Sequence, residues 1–236
     1  MVIHSIFLCY NLIGDIMRIL CYGDSNTWGY ISGTDHQRYI EDRWPIILKN
    51  NLGEDFEIIE EGLNSRTLTS DDKRPGKEGK NGYIYLLPCL DTHDPIDLVV
   101  LMLGTNELKY EYNKTPEEIG KMLEEYFVKK ILTRKSQFRN TYPKLLIITP
   151  PIVRENNEVY GDDDKYKGAE TKSIKLNDIY KDIAKRNNCY FLSNDNLITG
   201  PDGIHLTKES HKLLGEEVTK KIKEIYNIWY NNYSGE

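Results

Sequence analysis

A chain of 236 residues, 39% hydrophobic and 29% charged, has the size and composition of one soluble α/β domain with a sizeable core, and 17 tyrosines add amphipathic packing area. A net charge of −6 and a pI near 5.5 argue against a nucleic-acid backbone as partner, which needs clustered Lys and Arg. No run of ~18 apolar residues is present, so no helical membrane span is expected. Cys9, Cys21, Cys89 and Cys189 are widely spaced and form no C-x-x-C pair, which points to neither a zinc site nor a disulfide scaffold. A reduced, cytoplasmic setting is the expectation.

Residues 1–16 are fairly apolar, but no Lys or Arg precedes the apolar run and Asn11 interrupts it, which makes a poor signal peptide. Met17 stands directly before the first convincing strand. The organisation expected is therefore a dispensable extension, 1–16, and a single domain, 17–236.

From there strands and helices alternate. Arg18–Tyr22, Phe56–Glu60, Leu98–Leu103, Leu145–Thr149 and Cys189–Leu192 are short apolar or β-branched runs bounded by turn residues, and each reads as a buried strand. The clearest helix start is Thr115-Pro116-Glu117-Glu118, with Thr as N-cap, Pro at the first position and Glu closing a capping box. Ile119, Met122, Leu123, Tyr126, Phe127 and Ile131 then recur at helical spacing. Pro150–Gly168 is long, polar and proline-led, and reads as a mobile loop near the fourth strand's end. Asp162-Asp163-Asp164 lacks the spaced ligands and glycine of a calcium loop, so a solvated turn is expected. A last helix begins near Thr207 and carries Leu213, Leu214, Val218, Ile222 and Ile225 on one stripe. Five strands separated by helices predict a parallel sheet covered on both faces, with ligands at the carboxyl ends of the strands.

Those ends carry polar clusters. The first strand runs into Gly23-Asp24-Ser25-Asn26, the second into Glu61-Gly62-Leu63-Asn64 and the third into Gly104-Thr105-Asn106-Glu107, while Asp202-Gly203-Ile204-His205 precedes the final helix. Together they hold what acyl transfer needs. Ser25 is a nucleophile only if a base takes its proton, and His205 is the candidate base. Asp202 is placed to accept the imidazole Nδ1 proton and stabilise the imidazolium. Backbone N–H groups of Ser25 and Gly62 and the side-chain amide of Asn106 are candidate donors to an oxyanion. A glycine at 62 would let backbone approach a substrate closely.

The four blocks, in this order, resemble the SGNH or GDSL hydrolases. "GDSNTWGY", "DFEIIEEGLNSRT", "YLLPCLDTHDPIDLVVLMLGTNE" and "PDGIHLT" are similar to the bacterial arylesterase and acyltransferase branch of that family, over roughly 17–225. The resemblance implies a three-layer α/β/α sandwich on a five-stranded parallel sheet of flavodoxin-like type. It also implies Ser25 as nucleophile, His205 as base, Asp202 as its orienter, and Ser25, Gly62 and Asn106 as the oxyanion hole. It further implies a homo-oligomer. Asn26 stands where leucine is commoner, and Glu107 where aspartate is commoner.

Each piece has a plainer reading when taken alone. Gly-Asp-Ser-Asn is an ordinary turn, Asp-x-x-His a helix-capping turn, and Asn106 an Asx-turn residue. The co-occurrence of four blocks is what favours catalysis. Asp24 reads as a brace for the serine turn. Trp28 is a candidate pocket wall and Trp44 core or rim; Arg66 is a candidate substrate contact, with a structural ion pair as its alternative. His36, His93 and His211 show no metal-site spacing, so neither metal nor cofactor is expected.

The function expected is a serine esterase acting on small aryl or acetyl esters, able also to transfer the acyl group to alcohols. A carbohydrate or natural-product O-deacetylase is the alternative, and a non-catalytic binding module the third reading. A pure binder has no need of all five residues Ser25, Gly62, Asn106, Asp202 and His205. Nucleotide binding has no support, since neither G-x-G-x-x-G after a strand nor a phosphate-loop lysine occurs.

Overall fold

In the computed structural model, residues 16–155, 157–159 and 164–233 are described, with side chains to 225. The extension expected over 1–16 and most of the Asp162–Asp164 turn lie outside the described residues. Strands β1 (Met17–Gly23), β2 (Phe56–Gly62), β3 (Leu98–Met102), β4 (Lys144–Ile148) and β5 (Tyr190–Leu192) form one sheet in the order β2-β1-β3-β4-β5. All four pairings are parallel. This is the flavodoxin-like order, in which the chain reverses direction across the sheet between β1 and β3. Sheets of this order bind ligands at that reversal, outside the strands' carboxyl ends.

Side-chain alternation divides the core into two. Leu20, Tyr22, Val99, Leu101, Leu145 and Ile147 face one side, where they pack with residues of α3 (Gly82–Thr92), α4 (Pro116–Leu123), α5 (Lys129–Leu132) and α6 (Ala169–Arg186). Ile19, Cys21, Leu98, Val100, Leu146 and Ile148 face the other, against α2 (Trp44–Leu52) and α7 (Lys208–Tyr233). The result is a three-layer sandwich whose strands are apolar on both faces, as a buried parallel sheet requires. Trp44 is fully buried among the second set, on the core side of its expected placement. No helix among the described residues is long and apolar enough to cross a membrane.

The capping box at Thr115 is present, with Thr115 Oγ1 accepting the Glu118 N–H at 3.1 Å and Glu118 Oε2 accepting the Thr115 N–H at 2.8 Å. The helix it starts is not regular, because a π-helical turn at Glu124–Val128 separates α4 from α5. That wider turn keeps Leu123, Phe127 and Ile131 buried and turns Tyr126, expected on the same stripe, out to 41% exposure beside Tyr83. α7 begins one residue after Thr207, whose Oγ1 accepts the Ser210 N–H at 3.1 Å.

His211 lies in the first turns of α7, fully buried, its Nδ1 accepting the Trp44 N–H at 3.4 Å. Burial, then the nearby His205, lowers its pKa from 6.5 to about 3. Below pH 6.5 the unfolded chain therefore takes up a proton that the folded chain refuses until about pH 3, and stability falls with pH across that window. His211→Asn keeps an acceptor at the Nδ1 position without a titrating group. Its melting temperature should fall less steeply than the wild type's between about pH 6.5 and 4; equal slopes would contradict this assignment.

Candidate active site

At the carboxyl end of β1 the chain turns at Asp24 into the single helical turn α1 (Ser25–Trp28). Asp24 Oδ1 accepts the Asn26 N–H at 2.9 Å, which makes Asp24 the N-cap that holds the serine turn. Burial raises its carboxyl above the ordinary range. Ser25 opens the turn, where the first N–H groups have no partner inside the helix. Its Oγ lies 2.8 Å from His205 Nε2, and His205 Nδ1 lies 2.6 Å from Asp202 Oδ2. The three groups form a continuous hydrogen-bonded chain, nearly closed off from solvent.

Asp202 Oδ1 accepts the N–H groups of Ile204 and His205, each at 2.9 Å, so the carboxylate folds its own loop while facing the ring. Burial pushes the Asp202 carboxyl up, but its bonds to the His205 ring and to these two N–H groups outweigh that and hold it well below the ordinary carboxylate range. It stays ionised opposite the imidazole.

The structure also places groups that the sequence did not single out. Asn26 Nδ2 donates to the Ile204 carbonyl at 3.2 Å, and Asn26 Oδ1 accepts the Leu206 N–H at 2.9 Å. One amide thus grips the backbone on both sides of His205. Tyr30 stacks on the His205 ring with centroids 4.2 Å apart and planes 25° apart. An aromatic five residues after the serine was the available signal, but nothing in the sequence says which ring it covers.

Glu107, fully buried, accepts the N–H groups of Leu68, Thr69 and Ser70 on Oε1 at 2.7, 2.9 and 3.2 Å, and the Ser70 hydroxyl on Oε2 at 2.6 Å. The loop it gathers begins at Arg66, whose carbonyl accepts one hydrogen of Asn106 Nδ2 at 3.0 Å. An amide nitrogen carries two hydrogens, and this bond uses one of them.

Two of the glycines in the site blocks, Gly62 and Gly104, answer to steric demands. Gly104 has φ +140°, and a Cβ there would stand 2.4 Å from the Tyr180 hydroxyl, which donates to the Leu103 carbonyl. A Cβ on Gly62 would meet the backbone of Trp28, its nitrogen at 2.3 Å. Beside the expectation that Gly62 lets backbone approach a substrate stands a packing reason for the same glycine. Its missing side chain admits α1, whose Thr27 and Trp28 backbone would meet a Cβ there.

Arg66 is buried, donating to the Gly23 carbonyl at 2.9 Å and to the Glu61 carbonyl, and lies 4.1 Å over the Tyr22 ring. The ion pair stated as its alternative is with Glu61, whose Oε2 lies 3.8 Å from Arg66 Nη2. Arg66 also borders a cleft of about 560 Å³ with Glu61, Gly62, Asp71, Asn81 and Tyr85. Trp28 does not border this cleft; it lies 6.3 Å from Tyr30, with the Arg38 guanidinium 5.1 Å over its ring. Far from standing free, the described part of Pro150–Gly168 is tied to the Asp202 loop. The Arg154 N–H donates to the Gly203 carbonyl at 2.8 Å and the Glu158 N–H to the Pro201 carbonyl at 3.0 Å.

Residues 21–213 match the sequence model of the GDSL-like lipase/acylhydrolase family. The chain belongs to that family. It is a carboxylic ester hydrolase of the SGNH type, as the four blocks led one to expect. Among solved structures, the aryl esterase of M. smegmatis is 35% identical with a TM-score of 0.80, covering 88% of this chain and 99% of its own. A carbohydrate acetylesterase from Sinorhizobium meliloti is 34% identical with a TM-score of 0.81, covering 89% and 99%. A putative arylesterase from Agrobacterium tumefaciens is 28% identical with a TM-score of 0.77, covering 89% and 99%. Comparison with curated proteins gives no significant match.

Glu107→Ala leaves three backbone N–H groups without their acceptor and loosens the loop that steadies Asn106 through Arg66. It should lower the melting temperature and reduce kcat for ester hydrolysis by up to about 100-fold with little change in KM. Glu107→Gln keeps an acceptor and should restore most of both. A kcat unchanged in the alanine variant would show that Glu107 does not position the site.

Proposed function

We propose that Ser25 is the nucleophile of this SGNH hydrolase, acting on small aryl or acetyl esters through an acyl-enzyme. The observation that carries the reading is the chain Ser25 Oγ–His205 Nε2, 2.8 Å, and His205 Nδ1–Asp202 Oδ2, 2.6 Å. His205 takes the hydroxyl proton as Ser25 Oγ bonds to the carbonyl carbon, and Asp202 stabilises the imidazolium that forms. The carbonyl π electrons move onto oxygen, where the N–H groups of Ser25 and Gly62 and the other amide hydrogen of Asn106 receive the charge. The imidazolium returns the proton to the leaving alkoxide or phenoxide, and the C–O bond breaks. Water, deprotonated by the same His205, then releases the acid and Ser25.

Acyl transfer is the second outlet in this reading, with an alcohol taking the place of water; the cleft described above borders Gly62 but is not lined by Ser25. The deacetylase alternative has specific support, since that cleft presents Glu61, Arg66, Asp71 and Asn81 beside Gly62, groups suited to sugar hydroxyls, and a carbohydrate acetylesterase is among the relatives. Parallel assay of aryl acetates and acetylated sugars separates the two.

Ser25→Ala should reduce p-nitrophenyl acetate turnover to background without lowering the melting temperature, and Asp202→Asn should cost about 10⁴ in kcat. Residual turnover by Ser25→Ala at the wild-type rate would refute the mechanism.

A further inference from the structure

One group of side chains outside the Ser25, His205 and Asp202 chain stands together, and its Glu61 also borders the cleft beside Gly62. Glu61 near the end of β2, Cys89 in α3 and His93 just after α3 bring a carboxylate oxygen, a sulfur and a ring nitrogen within 4.8 Å of one another. Glu61 Oε1 lies 2.9 Å from His93 Nε2. The histidine spacing alone gave no metal expectation, because the partner of His93 is a cysteine four residues earlier on one helical face, and the third donor comes from a strand.

Carboxylate, thiolate and imidazole together are donors for zinc and similar divalent transition metals. Tetrahedral bonds of ~2.0 to 2.3 Å set two donors of one such ion about 3.6 Å apart. The frame is held in advance, since the Arg18 guanidinium donates to the His93 carbonyl at 2.6 Å and to the Pro95 carbonyl at 2.9 Å. Arg66 faces the other carboxylate oxygen, Glu61 Oε2, at 3.8 Å, which leaves Oε1 to the histidine and to the Tyr85 hydroxyl at 3.2 Å. The cleft bordered by Glu61, Tyr85 and Pro88 offers an entry path.

We propose that Glu61, Cys89 and His93 form a three-donor site for a divalent transition-metal ion of the zinc class, with its fourth position open to the cleft. On loading, the Cys89 S–H bond breaks, a sulfur–metal bond forms and one proton leaves for solvent, with no change of oxidation state. Burial, then the charge of Glu61, pushes the free thiol up to about 12, so the proton is released because the ion displaces it. None of the three donors is Ser25, His205 or Asp202, and the ion takes no part in the ester-cleavage steps proposed above.

The test is titration of the full-length, metal-stripped protein with Co(II). A near-ultraviolet sulfur-to-cobalt band should saturate at one equivalent and be displaced by zinc. Cys89→Ser should abolish the band, and Cys189→Ser should leave it intact. His93→Ala, a change at a partly exposed position, should weaken binding by about 10-fold or more. A wild type without the band, a band surviving Cys89→Ser, or a His93→Ala variant that binds as tightly as wild type would each overturn the proposal.

Discussion

The two hydrogen bonds from the Asn26 side chain to the backbone around His205 join the ends of the fold. Ser25 sits at the first strand and His205 just before the last helix, so nothing local in the chain relates them. The Asn26 amide does so directly, accepting from Leu206 and donating to Ile204. Because Asn26 is the neighbour of Ser25, any shift of the serine turn carries the histidine segment with it. The 2.8 Å contact between Ser25 Oγ and His205 Nε2 is held by that short link, with the Tyr30 ring covering the imidazole. Buried amide bonds of this kind are costly to leave half-made, which makes the arrangement all-or-none.

Buried carboxylates set the remaining parts. Asp24 caps the serine turn, Asp202 closes the histidine loop, and Glu107 gathers the 68–70 backbone, each by accepting N–H groups that the loops leave free. A carboxylate inside a protein is tolerable only when hydrogen-bonded, and irregular backbone inside a protein is tolerable on the same terms. Each satisfies the other here. The sheet supplies the fixed frame, and the reversal of strand order between β1 and β3 puts Ser25 and Asn106 just beyond the carboxyl ends of neighbouring strands.

Much of this was legible in the chain. Runs such as Leu98–Leu103 and Leu145–Thr149 can only be strands buried on both faces, and the ordered blocks around Ser25, Gly62, Asn106 and His205 lie where a parallel sheet brings its strand ends together. Three kinds of fact were not. The π-helical turn at Glu124–Val128 leaves no sequence signature, so Tyr126 was assigned to a face it does not share. Asn26 and Glu107 read as substitutions of commoner residues, while their work is done on backbone groups, which no sequence displays. The packing of α1 against the glycine at 62 depends on the β1–β2 register, which the sequence does not display.

The central claim is that Ser25 is activated by His205. It is tested most directly by treating the protein with a fluorophosphonate probe and locating the adduct by peptide mass spectrometry. The account predicts a single stoichiometric adduct on Ser25 that disappears in His205→Ala. No adduct in the folded wild type, or one on a different serine that persists in Ser25→Ala, would contradict it.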